Sequence, residues 1–149
     1  MGTDSRQTAR RAGVEDRVEF LGHRPHPEAM DWMRRARVVA APTRRGMLER
    51  AEVYCSPGKL GEYMGSGAAI VASQTPALEV FLKDGHNALL VEPNSPAALA
   101  DGIRRALEED GLGERLARQA YDDAQALTFD ARARKIIGFL EGLFTKSQG

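Results

Sequence analysis

The apolar positions of this chain fall into two patterns. Uninterrupted apolar runs recur at Val38-Val39-Ala40-Ala41, Ala69-Ile70-Val71-Ala72 and Ala88-Leu89-Leu90-Val91. Short runs without polar alternation predict strands buried on both faces. Val18-Glu19-Phe20-Leu21, closed by Gly22, predicts a further short strand. Between the runs the spacing becomes helical. Ser5 to about Ala12 predicts a helix stopped by Gly13. Pro27 opens another that runs to about Arg35, with Met30, Trp32 and Met33 available for the core. Pro57 to Ser66 and Thr75 to about Leu82 predict two short helices. Ser95 as N-cap and Pro96 at the first position start a stronger one, in which Leu99, Ile103 and Leu107 recur at spacing four. Gly111 and Gly113 separate it from a helix over about Glu114 to Leu127. Thr128 caps a last one, about Asp130 to Phe144, with Ile136, Ile137, Leu140 and Phe144 expected inward.

Strands that alternate with helices, each strand apolar throughout, predict an α/β fold. The expected form is a Rossmann-like doubly wound parallel sheet of about four strands, followed by a C-terminal run of three helices. Sheets of this kind bind ligands beyond the carboxyl ends of their strands. The loops after Leu21, Ala41 and Ala72, and the turn into the Pro57 helix, form the candidate rim.

Size and charge narrow the class. A chain of 149 residues fits one domain with a real core. Lys plus Arg and Asp plus Glu are both 21, so the net charge is zero, which argues against nucleic acid as a partner. One cysteine, Cys55, excludes an internal disulfide framework and fits a cytoplasmic location. No apolar run approaches the roughly 20 residues of a membrane span, and residues 1–6 lack a signal-peptide core. His23 and His26 sit in a loop with two prolines and no Cys or Asp pair nearby, so no metal site is expected. Arg44 and Arg45 read as solvated loop charges, with a reach toward a diphosphate as the alternative.

The most specific chemistry lies between Ser56 and Ser73. Ser56-Pro57-Gly58-Lys59 leads into a helix whose start offers backbone N–H groups and a positive dipole end to an anion. Lys59 adds a cation, and Glu62 follows one helical turn later on the same face. A cationic end beside a carboxylate suits a ligand with phosphates and vicinal hydroxyls, such as a nucleotide sugar. Taken alone, Glu62 is also an ordinary helix glutamate and Lys59 an ordinary surface lysine. Gly61 and Gly65, four apart, suit close helix packing, and Gly67 suits the helix stop.

Five blocks in order then resemble the nucleotide-sugar-binding half of group 1 glycosyltransferases, the C-terminal half of a GT-B fold. They are Val18 to Gly22, Ala36 to Pro42, Ser56 to Gly67, Ile70 to Ser73, and Asp84 to Pro93. The resemblance implies transfer of a sugar from a UDP- or GDP-sugar to a glycan or lipid-linked acceptor, with retained anomeric configuration, no metal and no other cofactor. It implies that Glu62 holds the ribose hydroxyls, because a carboxylate accepts from both. It implies that Ser56, Gly58 and Lys59 hold the diphosphate, and that Gly22 and His23 lie against the base. The family's other glutamate would stand at residue 54, where this chain has Tyr54; Glu49 and Glu52 are nearby. Pro57 removes one phosphate-facing N–H.

Residues 1–149 therefore read as a partial donor-binding domain, with no certain catalytic residue of its own. An acceptor domain or companion chain is the implied partner, and the isolated chain is expected to be inactive. The rival reading is a non-catalytic α/β interaction or nucleotide-binding module.

Overall fold

A computed structural model describes residues 2–43 and 59–146. Two units are distinguished, Met1–Asp31 and Trp32–Gly149.

In the first unit, helix α1 spans Gly2–Arg11. Gly13 follows with φ 67°, and its N–H reaches Arg10 O at 3.1 Å, the left-handed stop that the sequence predicts. A 3-10 turn over Glu15–Arg17 comes next. Arg10 binds Glu15 through two hydrogen bonds of 2.9 and 3.0 Å, and the Arg6 guanidinium lies 4.7 Å from the centre of the Phe20 ring. Val18 has extended backbone, yet Val18 to Leu21 form no strand, contrary to expectation. An extended segment becomes a strand only when a neighbour completes its ladder of hydrogen bonds. Among the described residues of this unit no second extended segment pairs with it.

Helix α2, His26–Arg35, begins with Pro27 as its second residue, and Arg24 pairs with Glu28 at 3.5 Å. None of its residues is fully buried. Met33 packs against the core of the second unit, but Trp32 is exposed and stacks under the Arg35 guanidinium at 4.4 Å. The expectation of three core residues here therefore reduces to one. Trp32 gains its contact from a flanking cation instead of from burial.

The second unit contains β1 (Val38–Ala41), α3 (Leu60–Gly65), β2 (Ala69–Ser73), α4 (Pro76–Glu79) and β3 (Leu89–Val91). It continues with α5 (Pro96–Glu108), α6 (Leu112–Ala124), a 3-10 turn over Gln125–Leu127, and α7 (Phe129–Lys146). The strands form one parallel sheet in the order β1-β2-β3, with Val38 opposite Ala69 and Val71 opposite Leu89. Among the described residues the sheet has three strands, close to the expected number of about four, and Val18 to Leu21 do not contribute one.

Every residue of the central strand β2 is buried. Ile70 and Ala72 on one face pack with Leu60 and Met64 of α3, Leu78, and Ala120 of α6. Ala69 and Val71 on the other face pack with Leu89, Ala106 of α5 and Leu116 of α6. A sheet covered on both faces explains its unbroken apolar strands. Gly102 lets α5 approach the sheet, since a Cβ there would stand 2.8 Å from Val91 Cγ1 and 2.9 Å from Val71 Cγ1. Ser95 Oγ accepts from Ala98 N at 3.1 Å, the predicted cap of α5. Thr128 Oγ1 likewise accepts from Ala131 N at 3.2 Å.

The last helix departs from expectation. Every residue from Arg132 to Leu143 is exposed, including Ile136, Ile137 and Leu140. The side chain of Phe144 lies outside the described part. A spacing of three and four gives α7 an apolar stripe but does not supply a surface to cover it. Among the described residues no helix is long and apolar enough to cross a membrane.

Candidate functional site

The parallel sheet directs all its carboxyl ends to one side, and two clefts open there. The smaller has a volume of about 350 Å3 and is walled by Ala41, Pro42, Leu78 and three residues of the α3 turn, Lys59, Leu60 and Tyr63. The larger, about 620 Å3, lies between the ends of β2 and β3 and includes Ser73, Glu92, Asn94 and Ser95. Pro42 and Thr43 line both. Thr43 N donates to Ser73 Oγ at 3.0 Å, so the turn after β1 is fastened to the end of β2 where the clefts meet.

Helix α3 presents two faces. Leu60 and Met64, four apart, are buried under β2. That anchorage fixes the rotation of the helix, so Lys59 and Tyr63, also four apart, fall together and line the small cleft. Tyr63 N donates to Lys59 O at 3.0 Å and closes the first turn. Lys59 is exposed, and Glu62, one turn later, is half-buried. The helix ends at Ser66, whose Oγ takes the donor role toward Tyr63 O at 2.7 Å and accepts from Ala68 N at 3.2 Å. Gly67 then has φ 81°, the glycine stop expected from the sequence. Among the described residues nothing lies within 4 Å of where a Cβ on Gly61 or Gly65 would stand, so the close helix packing expected of them is not seen there.

Lys59 and Glu62 are thus brought onto one short helix at the carboxyl side of the sheet. Ser56 and Gly58 lie outside the described residues, as do Glu49, Glu52, Tyr54, Cys55, Pro57 and the Arg44-Arg45 pair. Gly22 and His23 belong to the first unit. Gly22 has φ 69° and His23 follows it in an exposed bend. Among the described residues no group of three His, Cys, Asp or Glu side chains converges as a metal site would require.

The predicted rim loops after Ala41 and Ala72 supply Pro42, Thr43 and Ser73 to the larger cleft, but sequence reasoning did not anticipate its far wall, between Glu92 and Pro96. Asn94 adopts φ 60°, a left-handed turn that asparagine tolerates better than most residues, and it delivers the chain from β3 into α5. The Asn-Ser-Pro start signal pointed to the cap but not to a cavity beside it. The loop before β3 belongs to the sequence block Asp84 to Pro93, but the buried role of Asn87 within it is not legible there. Asn87, only 1% exposed, accepts from Lys83 N at 2.7 Å and donates to Phe81 O at 3.1 Å and to Asp123 Oδ2 at 2.7 Å. Gln119 donates to the other oxygen of Asp123 at 2.8 Å, and His86 Nε2 lies 3.6 Å from Oδ2. This network fastens the turn ahead of β3 to α6.

Chemically, the small cleft combines apolar walls with a cation and a phenol, while the large one is lined by a carboxylate, an amide and hydroxyls. The pair suits an elongated polar ligand with an anionic segment. Among the described residues of the two linings no nucleophile is aligned with a base, as covalent catalysis requires.

Comparison with known proteins gives a consistent result. The profile of the family described as "Glycosyl transferases group 1" matches residues 1–109. A D-inositol 3-phosphate glycosyltransferase of Corynebacterium glutamicum (strain R) is 28% identical over 131 residues, covering 88% of this chain and 29% of that relative. The chain therefore spans less than a third of that relative's length. Among solved structures, the C-terminal domain of a group 1 family protein (LpcC) from Francisella tularensis superposes with a TM-score of 0.66. The sequences are 22% identical, and the match covers 84% of this chain and 60% of that one. Anabaena HepE, solved in complex with UDP, superposes with a TM-score of 0.69 at 25% identity, covering 94% of this chain and 36% of its own.

Proposed function

We propose that this chain, which belongs to the group 1 glycosyltransferases, is the donor-binding part of a retaining enzyme that moves a sugar from a nucleoside diphosphate to an acceptor. One observation carries the reading. Helix α3 brings Lys59 and Tyr63 to a cleft at the carboxyl ends of β1 and β2, with Glu62 one turn from Lys59. In this reading Glu62 accepts hydrogen bonds from the ribose hydroxyls, and Lys59 faces the diphosphate. Ser56 and Gly58 extend the diphosphate contact. The donor is a UDP- or GDP-sugar, and HepE, a structural neighbour, was solved with UDP-glucose. The acceptor is a glycan or a lipid-linked sugar, and the reaction takes place in the cytoplasm.

Departure of the diphosphate builds negative charge on its leaving oxygen. A fixed cation near that oxygen lowers the barrier more than it stabilises the bound ground state. The reaction also needs an acceptor held in line, which the proposal assigns to a separate domain or companion chain. Ligand-observed NMR with UDP, GDP and ADP tests this. The expected result is saturation transfer to the ribose protons of UDP or GDP, with no sugar transfer from UDP-glucose by the chain alone. Absence of any nucleotide signal would favour a non-catalytic interaction module.

A further inference from the structure

The large cleft carries groups that the ribose and the diphosphate do not use. Ser73, 4% exposed, accepts from Thr43 N through Oγ, and its hydroxyl hydrogen has no acceptor among the described residues. Glu92 lines the same cleft, and among the described residues its carboxylate has no hydrogen bond or ion pair. Pro42, Pro96 and Leu99 add apolar wall. A hydroxyl donor, a carboxylate acceptor and apolar surface together complement a pyranose, which has hydroxyls around its edge and C–H groups on its faces. The same lining is a poor complement to phosphate, which a carboxylate repels.

Charge sets the direction in which a ligand lies. Among the described lining residues Lys59 is the one cation, in the small cleft, and Glu92 is the one carboxylate, in the large cleft. Pro42 and Thr43 wall both, so a ligand with its diphosphate at Lys59 continues past Thr43 with a neutral, hydroxyl-bearing end toward Glu92. On the donor-site reading, on which this inference rests, the group beyond the diphosphate is the transferred sugar. We propose that Glu92 determines donor specificity: it accepts hydrogen bonds from the hydroxyls of a neutral sugar and rejects a sugar that bears a carboxylate. A uronate brings a second negative charge to Glu92 where hydroxyl hydrogens are needed, so repulsion and lost hydrogen bonds both count against it.

The test is calorimetric titration of the full chain with UDP-glucose against UDP-glucuronic acid, and with GDP-mannose against GDP-mannuronic acid, taking UDP and GDP as references. For the nucleotide that binds, the acidic sugar should bind about 10-fold more weakly than the neutral one. The gap should narrow with added salt. In Glu92→Gln the side chain keeps its shape, loses its charge and gains a donor, so the gap should close. Glu92 is exposed, so thermal unfolding of the variant should stay unchanged. A side chain that merely shaped the loop would change both affinities together and leave their ratio as it was. If neither UDP nor GDP binds, the donor-site reading fails and the role of Glu92 falls with it. If a nucleotide binds but its neutral and acidic sugars bind equally, or if the gap survives in Glu92→Gln, the role of Glu92 alone is overturned.

Discussion

The backbone N–H of Thr43 donates to Ser73 Oγ at 3.0 Å, joining the turn after β1 to the end of β2. Ser73 is buried, and it lines the large cleft while Thr43 lines both. Ser73→Ala leaves that N–H without its partner. The expected cost is about 1 kcal/mol in denaturant unfolding. Nucleotide affinity should fall severalfold as the shared wall loosens, measured by fluorescence titration. Unchanged stability and affinity would show that the bond does not shape the clefts.

Asn87 uses both ends of its amide inside the protein, and Asp123 receives it from α6. Asn87→Ala strips Lys83 N and Phe81 O of partners at a position that water does not reach. A loss of about 2 to 4 kcal/mol is expected from combined desolvation penalties and a small cavity. Asp123→Ala removes one partner at a half-buried site and should cost less, about 1 to 2 kcal/mol. Thermal denaturation of the two variants checks the order.

Two glycines should respond with opposite sign to alanine. At Gly102 the new methyl would collide with Val71 and Val91, so about 1 to 3 kcal/mol of stability should be lost. At Gly61 the methyl meets nothing within 4 Å, and helix propensity should add about 0.5 to 1 kcal/mol. Chemical denaturation of both variants reads the contrast directly.

Glu15 carries a pH signature. Its hydrogen bonds from Arg10 hold the carboxyl below the ordinary value, opposed by desolvation and aided by the charges of Arg10 and Arg6. A carboxyl depressed in the folded state stabilises fully above its unfolded value, and that contribution is lost as pH falls through the folded one. An NMR titration should place the Glu15 midpoint below that of an unpaired glutamate, and Arg10→Ala should return it. An unmoved midpoint in the variant would exclude the pair as the cause.

The sequence made the second unit legible because its signals were local. Val38-Val39-Ala40-Ala41 and Ala69-Ile70-Val71-Ala72 are apolar at every position, and such runs suit a strand covered on both faces. Ser95-Pro96 and Gly67 declared a helix start and a helix stop through backbone chemistry alone. The failures needed non-local information. Val18 to Leu21 had strand composition, but pairing depends on a neighbour that local composition does not specify. Ile136 and Leu140 had core spacing, but whether a stripe is buried depends on what faces it. Lys59 and Glu62 were legible as a pair because helical geometry fixes their separation. The large cleft was legible only on the side of Thr43 and Ser73, in two loops of the predicted rim, because the wall at Glu92 and Asn94 comes from a third strand end.

Isothermal titration of UDP and GDP into the wild-type chain and Glu62→Ala tests the donor-site assignment most directly. The account predicts binding of at least one nucleotide to the wild type. Loss of a charged hydrogen bond to the ribose should weaken it roughly 10- to 100-fold in the variant, with thermal stability unchanged. No binding of either nucleotide to the wild type, or equal affinity in Glu62→Ala, would contradict it.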